Sequence, residues 1–190
     1  MKRLVSLMAA AVLALSLTSC SSDSPTVTKP SDSAAEETPG GDDSSADDTA
    51  DDDTGGEDPA SSSDPVFGDT VTYDDGMEIT VGKPKKFTPS EYAAGADGDG
   101  TPMKFTITVK NGTDKAFDPT LVYATASSGG EESESIFDTD AKLGMSPQTA
   151  LKPGKSVKWD VGFMIADPKD ITLEVALNDD FSRDSAVYSN

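Results

Sequence analysis

KFTITVK, residues 104–110, alternates without a break. Phe105, Ile107 and Val109 fall on one side, Thr106 and Thr108 on the other, with a lysine at each end. A period of two sends successive side chains to opposite faces of a strand, so the run predicts a strand with one face in a core and one in water. Asn111-Gly112 then turns the chain. On the N-terminal side, Thr70–Tyr73 and Met77–Val81 flank Asp74-Asp75-Gly76, the pattern of a hairpin or tight corner. On the C-terminal side, strands are predicted over 121–126, briefly over 135–138, over 157–165 and over 171–177, with an edge at Val187-Tyr188. Leu151-Lys152-Pro153-Gly154-Lys155 has Pro and Gly where a type II turn needs them, and Asp167-Pro168 breaks the chain between the last two main strands. Helical periodicity is missing. About seven short strands between turn signals predict an all-β, antiparallel sandwich over residues 66–190, large enough to bury a core without cross-links.

The order and spacing of the Phe105–Asn111 strand, the Leu151–Gly154 turn and the Trp159–Ile165 strand resemble the immunoglobulin-like domains of bacterial lipoproteins grouped as domain family 4352 of unknown function. That group is related in fold to a mycobacterial secreted immunoprotective antigen. The likeness spans most of residues 69–178. It implies an immunoglobulin-like β-sandwich and carries no catalytic residues. The cysteine pair of antibody domains is absent and Trp159 lies late in the chain, so an antibody-type identity is not implied.

The other end of the chain has a different grammar. Lys2 and Arg3 precede an apolar run from Leu4 to Leu17, broken only by Ser6 and Ser16. This is the plan of a secretory signal over residues 1–19, and about 14 residues fall short of the ~20 needed for a spanning helix. Leu17-Thr18-Ser19-Cys20 resembles a bacterial lipobox, which implies cleavage before Cys20 and a diacylglycerol on its thiol. The alternative is an ordinary secreted protein with an incidental cysteine. Cys20 is the only cysteine, and an unpaired thiol in an exported chain calls for a reason. Two acyl chains, at about 0.8 kcal/mol per buried CH₂, would hold firmly to a membrane. The expected location is the outer face of the bacterial cytoplasmic membrane, exposed to the cell wall.

Residues 20–65 are Ser-, Asp-, Thr-, Gly- and Pro-rich, with 14 acidic residues against Lys29 alone and Val27 as the one sizeable apolar side chain after Cys20. Such a segment predicts a disordered acidic tether, of ~40 Å root-mean-square span and about 150 Å at full stretch. Its acid runs would gather divalent cations only at an ordering cost, so solvation is the reading adopted.

Composition closes several doors. The net charge of −20 opposes nucleic-acid binding, which needs clustered Lys and Arg; Lys83, Lys85 and Lys86 read as a solvated strand end. With no histidine, Ser-His and Cys-His nucleophiles are excluded, and with one cysteine so is a structural zinc site. A carboxylate pair for glycoside hydrolysis has no identifiable cleft, so the chain is read as a non-enzyme. Asp97 and Asp99, in Ala96–Gly100, begin like a calcium loop, but the fifth and twelfth positions are Thr101 and Thr108. Glu131, Glu132, Glu134 or Asn178-Asp179-Asp180 would have to join them in space. Trp159 alternates with Val157 and Val161 and belongs to the core. The expected role is a surface lipoprotein presenting its domain to a cell-envelope protein. The alternative is an extracytoplasmic protein binding calcium or a small ligand.

Overall fold

The computed structural model describes residues 25–30, 64–179 and 183–190. Cys20 and the preceding Leu17, Thr18 and Ser19, with the rest of the expected signal segment and most of the acidic stretch, lie outside the described residues.

The KFTITVK run is the middle of the longest strand. In chain order the strands are β1 (Thr26–Thr28), β2 (Thr70–Thr72), β3 (Met77–Val81), β4 (Lys85–Lys86), β5 (Thr101–Asn111), β6 (Val122–Ser128), β7 (Glu131–Glu132), β8 (Ser135–Ile136), β9 (Ser156–Ile165), β10 (Ile171–Leu177) and β11 (Ala186–Ser189). One sheet runs β1-β2-β3-β5-β9-β8, with β4 also on β5; the other runs β11-β10-β6-β7. Every strand pairing is antiparallel. A short 3-10 turn at Pro119–Leu121 is the one helical element among the described residues. The chain is an all-β, immunoglobulin-like antiparallel sandwich, as the alternation predicts.

The core follows from parity. On β5, Met103, Phe105, Ile107 and Val109 are buried, and each faces an odd-numbered residue of β9 across the ladder, Ile107 meeting Trp159. Ile171, Leu173, Val175 and Leu177 supply the opposing sheet, and all join one apolar cluster with Val71, Ile79 and Val81. Trp159 belongs to that cluster. Tyr188 ties the layers together: its ring is fully buried on β11, and its hydroxyl donates to the Ile79 carbonyl of the facing sheet at 2.7 Å.

At one end of the sandwich two loops meet on Asn111. The sequence reads Asn111-Gly112 as a turn; Asn111 itself ends β5 and is fully buried. Its side-chain amide donates to the carbonyls of Lys115 and Leu151, and its carbonyl oxygen accepts from the Thr113 N–H and hydroxyl. A polar side chain can be buried there because every bond it can make to the chain is made. The predicted type II turn lies alongside, with Gly154 at φ 72° and the Lys155 N–H on the Lys152 carbonyl at 3.1 Å.

One element contradicts the sequence reading. Thr26–Thr28, expected inside the disordered tether, form β1, an edge strand paired as Thr26↔Thr72, Val27↔Val71 and Thr28↔Thr70. Val27 packs half-buried against the main cluster. Ladder bonds to the open edge of β2, with one apolar side chain turned inward, offset the entropy of ordering three residues. Pro25 and Pro30 bracket the strand, as suits an edge that should recruit no further strand.

Candidate functional site: the open flank and the layer above it

Strict alternation fails at Gly162-Phe163-Met164-Ile165, where four consecutive residues are buried. Phe163 and Ile165 face the core, with Phe163 edge-on to Phe105 at 6.0 Å between ring centres. Met164 faces outward and is covered by a second cluster of Ile136 and Leu143, with Phe87, Ala93 and Ala96 against it. Two loop excursions, 87–96 and 136–144, therefore roof the outer face of β9.

Asp138 latches this roof. Its carboxylate accepts the Ser90 N–H at 2.7 Å, the Ser90 hydroxyl at 2.9 Å, and the N–H groups of Asp140 and Ala141. The Ser90 amide, foremost among these donors, outweighs desolvation and holds the carboxyl below the usual carboxylate range. Gly162 leaves room beneath the roof: a Cβ there would overlap the buried Leu143 side chain unless that side chain shifted.

Beside the roof the sandwich is open. From Val122 to Thr125, β6 pairs with β10, while β7 joins its other edge only at Ser127 and Ser128. That stretch of edge has no strand neighbour among the described residues. Val122 and Ala124 face inward yet stay half-exposed, as does Val161 opposite. Between them lies a cleft of about 280 Å³, reaching Trp159 and Phe163 and floored by Ile136. Tyr123 (57% exposed) and Phe137 (55%) line it, and Met145 (60%) stands between two further lining residues, Gly144 and Ser146. A concave apolar strip beside an unpaired strand edge is where extended segments of other chains dock.

The outer face of the larger sheet is polar and internally matched. Lys104 meets Asp160 at 3.0 Å, Lys110 meets Glu78 at 2.6 Å, and Thr28, Thr70, Thr80 and Thr108 share one row across four strands. At Asp160, burial raises the carboxyl, but the Thr106 hydroxyl and Lys104 more than compensate and lower it.

The acidic candidates do not converge. Asp97 and Asp99 are both exposed on the loop before β5, and among the described residues no three Asp, Glu, Cys or His side chains group to hold a metal. Glu134 approaches Gly98 of that loop, whereas Glu131 and Glu132 form β7. Asp179 instead pairs with Arg183, which also grips Asp75 and so fastens the β2–β3 turn to the segment before β11. Asp180 lies outside the described residues.

Sequence reading missed the flank. Its signals were present: Tyr123 stands on the side of β6 that should be polar, and Phe163-Met164-Ile165 breaks parity. Neither says which loops come to cover β9 and which edge stays bare.

The geometry defines a class, the two-sheet immunoglobulin-like sandwich with one open flank. No family model and no curated protein matches the chain, so membership of domain family 4352 finds no match. Among solved structures, the yjhA protein of Bacillus subtilis superposes with a TM-score of 0.51 at 15% identity, over 66% of this chain and 98% of that one. The ycdA protein of Bacillus subtilis, described as a candidate lipoprotein, gives 0.49 at 18% identity, over 61% of this chain and 36% of its own. The secreted protein MPT63 of Mycobacterium tuberculosis gives 0.40 at 13%, over 64% and 84%. The yjhA likeness is one of fold.

Proposed function

We propose that this is a lipid-anchored, extracytoplasmic envelope protein whose sandwich is a non-catalytic binding module. The flank receives an extended segment of a partner protein. The observation that carries this reading is the bare Val122–Thr125 edge lying beside the apolar cleft. Strand addition to that edge supplies main-chain hydrogen bonds, and the cleft selects alternate side chains. Residues 66–190 carry 21 acidic against 12 basic residues, so the partner segment is apolar with basic flanks. The lipobox-like Leu17–Cys20 supports the anchor.

The test is site-specific photo-crosslinking in intact cells, with the probe replacing Tyr123 or, as a control, Val187, which is exposed at β11 away from the cleft. A discrete protein adduct from position 123, lost with Ala124→Lys and absent from position 187, is expected. Equal adducts from both positions, or none from 123, would sink the flank reading. Intact mass of the membrane-extracted protein decides the anchor separately.

A further inference from the structure

We infer that the acyl anchor and β1 together hold the sandwich upright and close to the bilayer, with the Asn111 end down and the roofed loops up. The inference rests on the lipid anchor of the proposed function and adds a membrane-facing surface to it. Cys20 is six residues before Thr26. Six residues span at most about 22 Å, so a docked β1 places the lipid attachment point no farther than that from the sheet. The length of the acidic stretch between β1 and β2 then adds nothing to the distance from lipid to sheet, because it follows the docked strand.

The direction follows from register. Thr26, the end of β1 nearer the anchor, lies in one row with Thr72, Glu78, Lys110 and Ser156. That row ends at the Asp74–Gly76 corner, the loop after Asn111 and the Pro153-Gly154 turn. These form the bilayer-facing end. The opposite end carries the loop before Thr101, the Gly129-Gly130 turn and the Asp167–Asp170 turn. The two ends are separated by the 11 residues of β5, on the order of 35 Å. The flank, running along the strands, opens sideways and stays clear for a partner in the envelope.

The test uses the full chain, its acylation confirmed by mass, in phosphatidylcholine–phosphatidylglycerol vesicles carrying headgroup acceptor dyes. Acylation consumes Cys20, so an introduced cysteine is the single free thiol. Donor dyes go on Lys152→Cys, at the near end, and Lys169→Cys, at the far end; both lysines are exposed. The dye at 152 is expected to lie ~30 Å closer to the bilayer than the dye at 169. Val27→Asp, or Thr26→Pro in its place, should undock β1 and move both dyes outward. Equal distances for the two dyes, or native distances unchanged by both variants, overturn the inference. Hydrogen exchange on unacylated chain reads β1 docking alone. Protected Thr26–Thr28 amides in that sample, together with no acyl group by mass on the native protein from cells, would therefore condemn the anchor while leaving the docking intact.

Discussion

The interior between the two sheets and the roof over β9 are both apolar and both buried, yet they are built by opposite means. Between the sheets, nearly every side chain is placed by strand parity and by ladders spanning many residues. In the roof, three buried residues are held by loops, by a carboxylate and by a glycine that makes room for them. Parity-built packing resists local change, because moving one side chain means moving a strand. A roof of loops has few apolar contacts and many local hydrogen bonds, which is the description of a region able to open on its own.

The contrast is broken most forcefully from inside. Ile107→Ala removes a fully buried side chain opposite Trp159, and such truncations cost ~2–5 kcal/mol. For a domain of this size the melting temperature should fall by roughly 10–20 °C. Trp159 fluorescence and far-ultraviolet dichroism should report one shared transition. Separate transitions would show that the two sheets are less unified than their common core implies.

Next in size is Gly162→Ala. The new methyl group would collide with the buried Leu143 side chain, which must shift to admit it. Overpacking of this kind costs about 1–3 kcal/mol, and the roof is the side that can yield. Proteolytic cleavage should rise within 137–145 while the Trp159 transition moves little. A melting loss as large as that of Ile107→Ala would erase the distinction between the two regions.

These two positions also show how far the sequence was legible. Ile107 announces its place through neighbours two residues away, so the strand, its face and the sandwich could all be read. Gly162 sits in an unremarkable strand, and its need for glycine comes from Leu143, 19 residues away and across a loop. β1 was hidden for the same reason. Thr-Val-Thr within an acid-rich stretch has no local cause to be a strand, and its partner, another Thr-Val-Thr at 70–72, lies more than 40 residues on. The flank is an absence of cover, which no local pattern encodes. Cys20 is the reverse case: its neighbours alone prompt the lipidation reading, and it lies outside the described residues.

Acid and alkali should separate the regions by pH. Asp138 has its carboxyl lowered by the Ser90, Ala141 and Asp140 donors. A lowered folded value gives stability that is present above the unfolded value near 4 and lost as pH falls through the folded one. Exchange of the Ser90, Asp140 and Ala141 amides should therefore accelerate below about pH 4, ahead of amides in β5 and β10. In the interior, burial pushes Tyr73 up to about 12, with its hydroxyl on the Asp184 carbonyl at 2.9 Å; Tyr188 is raised further for the same reason. A raised value keeps its stabilisation below the unfolded value near 10 and loses it as pH climbs through the folded one. Global melting should thus weaken between about pH 10 and 12, with the roof following passively. Simultaneous loss of both regions at acid pH would contradict the division.

The smallest effect gives the sharpest comparison. Lys142 is the one non-glycine residue with positive φ among the described residues, at 54°, and it closes the loop between Asp138 and Leu143. Holding a residue with a Cβ there costs ~1–2 kcal/mol, and glycine removes that strain while adding ~0.5–1 kcal/mol of unfolded-state freedom. Lys142→Gly should stabilise the loop by a net of up to about 1 kcal/mol, since the exposed side chain forfeits no packing. If the roof opens independently, the gain appears in exchange protection at Asp138–Gly144 and leaves the melting temperature almost unmoved. If roof and interior unfold as one unit, the same small gain must appear in full in the global transition. The two readouts on one substitution therefore decide whether the loops over β9 are a separately opening layer or the outermost part of a single cooperative core.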